Sequence, residues 1–259
     1  MEVMRGVYGD RGPRTPSGRG IREAMMWYCA VTRLDLRVTS CFAGAVTSDD
    51  TGAGGPALVG PVVCAALRME ARAVRRGLAR TPVVVVGYRA RRADRLPDSC
   101  AALVTVGFGG ALDERLRPGD VLVADEIRGA PGTEPVPCSA PRLLAEELIR
   151  DGLSVQVGPI VTTGHVVRGA ERAFWAAQGA RAADMESAAV ATRARSRPVA
   201  AVRVVVDGPG HPLWHPGVVA RGLAARRVLA RTGPALERWG VLLVRGADEP
   251  NEGSGARTP

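Results

Sequence analysis

The stretch CAALVTVGFGGALDERLRPGDVLVADEI, residues 100–127, carries the reading of the fold. It holds two apolar runs, the uncharged CAALVTVGFGGAL and the VLVA that opens VLVADEI, with a Gly-rich segment closing the first. Neither run alternates between apolar and polar residues, so each reads as a strand covered on both faces. The glycines do not make a dinucleotide fingerprint, because GxGG fails GxGxxG and a second strand follows. They do not make a P-loop either, having no GK[ST]. They read as a turn where backbone can approach a ligand closely.

The same rhythm extends in both directions. GPVVCAAL, PVVVVGY, LSVQVGPIVTT and PVAAVRVVVD are further apolar strands, and RMEARAVRRGLA, SAPRLLAEELIRDG, GAERAFWAAQG and MESAAVATRAR are amphipathic helices between them. Residues 216–240 read as one long closing helix. Interleaved strands and helices predict an α/β chain, a single three-layer α/β/α domain with a mixed, mostly parallel central sheet. In such sheets ligands sit at the carboxyl ends of the strands. The domain is expected over 58–245. Residues 1–57 lack either period and read as a disordered or mis-started extension, and 246–259 as a polar tail.

Composition excludes several classes. The 259 residues include 46% hydrophobic ones but only 4% aromatic, so the core is aliphatic and few rings remain to stack on bases. All 35 basic residues are Arg, which gives a formal charge of +9. Their scatter over helices fits solvated faces and argues against nucleic acid. Clusters such as RARRADR (89–95) leave room for contact with an anionic membrane surface. Five cysteines without CxxC spacing fit a reducing, cytoplasmic setting, and the three histidines lack any metal-ligand spacing. No transmembrane run or secretory signal stands out.

Three carboxylates fall near strand ends. Glu186 opens the Ala-rich helix of ADMESAAVA; with Asp184 free to cap that helix, Glu186 is placed to accept hydrogen bonds from two adjacent hydroxyls, as a ribose diol presents. Asp207 ends VRVVVD, where it serves as a turn residue or as a general acid. Glu70 begins the first helix, as a solvated helix residue or as the group that activates a nucleophile. Together they suit cleavage of an N-glycosidic bond through an oxocarbenium-like transition state, with no metal.

The order of these motifs resembles the nucleoside phosphorylase and nucleosidase superfamily over about residues 60–240, in particular the 5'-methylthioadenosine/S-adenosylhomocysteine nucleosidases. The resemblance implies that Glu70 in VCAALRMEA activates water, and that Gly107, Phe108 and Gly109 form the Gly-rich turn. It implies that Met185 and Glu186 hold ribose, that Asp207 protonates the purine, and that Val167 stands where a base-stacking Phe is usual. Two phosphate ligands of the phosphorylases are replaced by Thr105 and Phe108, which favours water, although arginines such as Arg68 and Arg89 remain available. Val206 stands where a Ser or Thr usually precedes the acid. DMESAAVA, RVVVD and HPLWHPGVVARGLAARRVL most resemble the hopanoid-associated phosphorylases, which implies loss of adenine from adenosylhopane. Leu213 and Trp214 would then line a greasy exit for the 5' substituent. The expectations are a nucleoside-binding enzyme, lipid-linked in substrate, without a cofactor but with phosphate open as co-substrate. A homo-oligomer is expected, cytoplasmic and at the inner membrane face, with a non-catalytic nucleoside-binding protein as the other class.

Overall fold

The computed structural model describes residues 58–212 and 218–248. The expectations for 1–57, for Leu213 and Trp214, and for the end of the tail lie outside the described residues. In chain order the elements are β1 (Leu58–Ala65), α1 (Arg68–Arg75), β2 (Val83–Val85), β3 (Cys100–Ala111), β4 (Val121–Arg128) and β5 (Val136–Pro137). There follow α2 (Pro141–Arg150), β6 (Val155–Thr162), α3 (Gly169–Ala177), β7 (Ala182–Asp184), α4 (Ser187–Ala194), β8 (Val199–Asp207), α5 (Val218–Arg231) and α6 (Gly233–Asp248).

The strands make one mixed sheet. β1 pairs in parallel with β2 and β3, β3 with β8, β4 with β6, and β6 with β7; β3/β7, β4/β5 and β4/β8 are antiparallel. Followed from β3 through β8, β4, β6 and β7, the pairing returns to β3, so the sheet closes on itself at one end. The closure depends on β7, a three-residue strand that pairs Gly110 with Ala183.

Adjacent residues of the central strands enter two different cores, which is why no alternation shows in the sequence. Val63, Val104, Val123 and Val202 pack with Leu144 and Leu148 of α2, Leu229 of α5, and Leu236 and Trp239 of α6. Their neighbours Val62, Leu103, Leu122 and Ala201 pack on the opposite side with Val190, Ala191 and Ala194 of α4. The helices supply apolar residues at the spacing that one buried face requires, such as Leu144, Ala145 and Leu148, or Ala235, Leu236 and Trp239. The three-layer α/β/α domain with a mostly parallel sheet is therefore present.

Four local expectations are corrected. The closing helix of 216–240 is two helices, interrupted at buried Thr232 and followed by Gly233-Pro234, where Pro supplies no N–H to continue the ladder. Helix α1 stops at Arg75, and α6 continues to Asp248, into the expected tail. The glycines at 107–110 form no turn, since β3 continues through them to Ala111. β5 and β7 escaped notice, being two and three residues long and without an apolar run of their own. Among the described residues no helix is long and apolar enough to cross a membrane.

The break between α5 and α6 packs backbone to backbone against the end of α1. A Cβ on Gly77 would meet the Ala230 carbonyl, and one on Gly233 would meet the Gly77 backbone. Gly77→Ala and Gly233→Ala are each expected to cost about 1–3 kcal/mol in urea unfolding, as overpacking does. Gly60→Ala, with nothing within 4 Å of the added carbon, is the control expected to leave the midpoint near that of the parent.

Candidate active site

The glycines of β3 make room for charge. A Cβ at Gly107 would stand 2.7 Å from Glu70 Oε1, one at Gly109 would stand 3.0 Å from Arg203 Cβ, and one at Gly110 would stand 2.8 Å from Asp207 Oδ1. Three charged side chains thus lie against a strand that has no side chains at those positions.

Glu70 comes from the first turn of α1 and is buried, so it is no solvated helix residue. Its Oε2 accepts the N–H of Leu67 at 2.8 Å, capping its own helix. Its Oε1 accepts the N–H of Phe108 at 2.8 Å, tying the helix to β3. Burial raises its carboxyl above the ordinary value, against the pull of these two N–H donors and of Arg203.

Glu186 lies between β7 and α4, at the N-cap position of the helix. Asp184 does the capping: it accepts the Ser187 N–H at 3.1 Å and the Thr162 hydroxyl at 2.6 Å. Glu186 is left with the N–H of Arg89, at 2.9 Å. Arg89 holds φ at 54°, in the left-handed region that a side chain rarely adopts, so the 88–90 turn is bent to present that donor. Burial first, and the Asp184 charge next, push the Glu186 carboxyl up to about 8.

Beneath these residues is Arg203, which sequence reasoning passed over. It is 2% exposed and sits in the middle of β8. Its Nε donates to Asp184 Oδ2 at 2.8 Å, and its guanidinium reaches the Thr105 hydroxyl at 2.7 Å and the Ser187 hydroxyl at 2.9 Å. Burial disfavours its charge, but Asp184, Glu186 and Glu70 outweigh that and hold it protonated. The signal was present: one charge inside VAAVRVVVD requires a buried partner of opposite sign.

Asp207 ends β8 and forms a separate pole. Its Oδ2 accepts Arg172 of α3 at 2.6 Å. Burial raises its carboxyl, opposed by Arg172, Arg221 and Arg168. It lines a cavity of about 420 Å³ with Leu112, Val166, Arg172 and Pro212. Val167, expected as the wall, turns its side chain into an apolar cluster with Leu112, Val161 and Ala180, while Val166 faces the cavity. Phe108 packs against the core beside its backbone bond to Glu70, and Met185 is half-buried in the bend before α4. Among the described residues no group of His, Cys, Asp and Glu suits a metal ion.

The site therefore has two ends along β3. Glu70, Glu186 and Asp184 surround one arginine at the first; Asp207 stands among three at the second.

A family model described as the phosphorylase superfamily matches residues 36–231, beginning ahead of the expected domain start at 58. No match is found among the curated proteins. Among solved structures, S-adenosylhomocysteine nucleosidase from Streptococcus pyogenes, in complex with a methylthiotubercidin, is 19% identical with a TM-score of 0.56, over 70% of this chain and 98% of that one. Futalosine hydrolase of Helicobacter pylori is 16% identical with a TM-score of 0.57, over 69% and 98%. The methylthioadenosine/S-adenosylhomocysteine nucleosidase of S. pneumoniae with a transition-state inhibitor is 21% identical with a TM-score of 0.53, over 68% and 99%.

Two outcomes follow from the buried charges. Removing Arg203 strands Asp184, so Arg203→Ala is expected to cost about 3–5 kcal/mol in chemical denaturation. The Glu186 carboxyl is raised from 4.5 to about 8 by folding, so its penalty is absent below pH 4.5, grows as pH rises, and is complete above about 8. Glu186→Gln should therefore match the parent in Tm near pH 4.5 and exceed it increasingly up to pH 9. A Tm difference that does not change with pH would show that the carboxyl ionises normally.

Proposed function

The chain belongs to the phosphorylase superfamily and is an enzyme that cleaves N-glycosidic bonds, and from that premise we propose that it hydrolyses the ribosidic bond of an adenine nucleoside with a long apolar 5' substituent. The observation that carries this reading is the charge polarity along β3. Breaking a ribosidic bond leaves positive charge on the sugar and electron density on the base. The carboxylates at one end favour the first, and the arginine-ringed acid at the other favours the second. Gly107 and Gly110, which mark the two ends, are three residues apart, about 10 Å of extended strand. An external nucleophile at one end and a proton donor at the other are the roles the two ends can then fill.

In this reading Glu70 takes a proton from the attacking water, and the two N–H bonds it accepts orient it for that task. Glu186 holds the ribose hydroxyls, with Met185 beside it. Asp207 protonates the departing purine. Water is favoured over phosphate because Glu70, ionised to act as the base, would repel an approaching dianion. Thr105, where a phosphorylase would carry an Arg, is committed to Arg203. The adenine assignment draws support from the resemblance of VCAALRMEA, ADMES and RVVVD to the nucleosidases. The lipid assignment, an adenosylhopane-like substrate met at the membrane face by a homo-oligomer, draws on the resemblance of residues 211–229 to hopanoid-associated phosphorylases.

Adenine release from 5'-methylthioadenosine and from 5'-alkylthioadenosines of increasing chain length, with and without phosphate, tests the reading. Expected are phosphate-independent release and a kcat/KM that climbs with chain length. Asp207→Asn should lose about 10²–10⁴-fold in kcat while still binding nucleoside. Strict phosphate dependence would make the reaction phosphorolysis, and no release from any member of the series would reject the adenine assignment.

A further inference from the structure

Arg172 is the residue at the base end that the proposed reaction leaves without a role. It lies in α3, with a side chain 12% exposed. Its NH1 donates to the Ala111 carbonyl at the end of β3, and its NH2 donates to the Val167 carbonyl at 3.1 Å and to Asp207 Oδ2 at 2.6 Å. One guanidinium thus joins three walls of the cavity: the end of the central strand, the loop before α3 and the end of β8. The other carboxyl oxygen, Oδ1, lies against Gly110, the position where a side chain would strike it.

We infer that Arg172 is a positioning residue for proton delivery: by holding Oδ2 of Asp207 it makes Oδ1 the oxygen that carries the proton to the purine. This rests on the function proposed above. In the step it serves, the C1'–N9 bond breaks and its electron pair passes into the purine, which takes the Oδ1 proton at N7. The water oxygen bonds C1' and gives its proton to Glu70, and Asp207 is left as a carboxylate against Arg172. The pair therefore strengthens as the proton leaves, since a carboxylate bonds a guanidinium better than a carboxylic acid does. Arg172 favours the product side of the transfer while its carbonyl bonds fix where that transfer occurs.

The charged groups that face Asp207 are Arg172 and Arg168, from α3 and its N-cap, and Arg221 from α5; the adjoining Gly110 and Ala111 of β3 carry none. Burial favours the protonated acid, and the Arg172 cation opposes it. Removing that cation should raise the pKa of Asp207. The alkaline limb of the kcat profile, which reports loss of the acid's proton, should move up in pH with it.

The test compares Arg172→Gln and Arg172→Lys with the parent on two substrates: 5'-methylthioadenosine, and 4-nitrophenyl β-D-ribofuranoside, whose nitrophenolate departs without a proton. Arg172→Gln is expected to lose about 10–100-fold in kcat on the nucleoside, the range that misplacement costs. It should change little on the nitrophenyl riboside, and its alkaline limb should move upward. Arg172→Lys, keeping the charge, should hold the limb near its original pH. Equal losses on both substrates with an unmoved limb would overturn the inference. Carbon-13 NMR titration of the Asp207 carboxyl in the unliganded proteins needs no turnover. An upward shift in Arg172→Gln is expected there, and an unchanged titration also overturns the inference. A parent that releases no purine would instead refute the proposed function, leaving the NMR result to judge the pair.

Discussion

The pairing of Arg203 with Asp184 is the constraint on which the rest of the molecule depends. A guanidinium in the centre of a fully buried strand is tolerable only if every donor is met and its charge is balanced. Asp184 supplies the charge, and Thr105, Ser187 and a backbone carbonyl supply the remaining acceptors. Those partners come from β3, β7 and α4, so satisfying one side chain of β8 fixes the relative position of three other elements. Thr162 of β6 joins through its hydroxyl bond to Asp184. The short strand that closes the sheet is held there by this charge network as much as by its own ladder, which has two pairs with β3 and three with β6.

Functional groups are then placed by their neighbours' needs. With Asp184 engaged by Arg203 and by the helix N–H, Glu186 is not required as a cap and is left facing the site with one backbone donor. With Gly107 lacking a side chain, Glu70 can lie directly on β3 and take the Phe108 N–H. Both carboxyls are buried, and burial is what lifts them from their ordinary range. In the proposed reaction that cost has a use, since a dry, preorganised carboxyl, once ionised, stabilises a developing sugar cation more than a hydrated one does.

How much of this was legible in the sequence can be judged residue by residue. Glu70, Glu186 and Asp207 stood out because they fall near the ends of apolar runs, where a cap, a turn or a solvated helix face was the other reading. In the structure Glu70 and Glu186 follow β1 and β7, Asp207 ends β8, and all three are buried. The three-layer arrangement was legible from strands that do not alternate. Arg203 was as visible by the same logic but was absorbed into a general surplus of arginine. The glycines were noticed and misread: the space they leave is filled by side chains distant in sequence, which no local pattern reports. β7 escaped because three residues of Ala-Ala-Asp carry no strand signal, and the α5–α6 break because the apolar spacing continues across Gly233-Pro234. Arg172 could not be singled out, since its meaning lies in a carboxylate 35 positions away.

Because the pairing path closes through β7, strands β3, β8, β4, β6 and β7 share one closed ladder. Among the described residues, open margins include β2 and β5, three and two residues long, with β5 ending in Pro137, which has no N–H to offer, and the one-sided stretches at the starts of β1 and β6. A chain so rich in valine would otherwise present long apolar edges on which further strands could add, the usual route to sheet-to-sheet aggregation. The closed pairing that carries Asp184, Arg203 and Asp207 therefore also hides part of the margin of the sheet. The cavity beside Asp207 can then stand open without the closed part of the sheet also offering a template for strand addition.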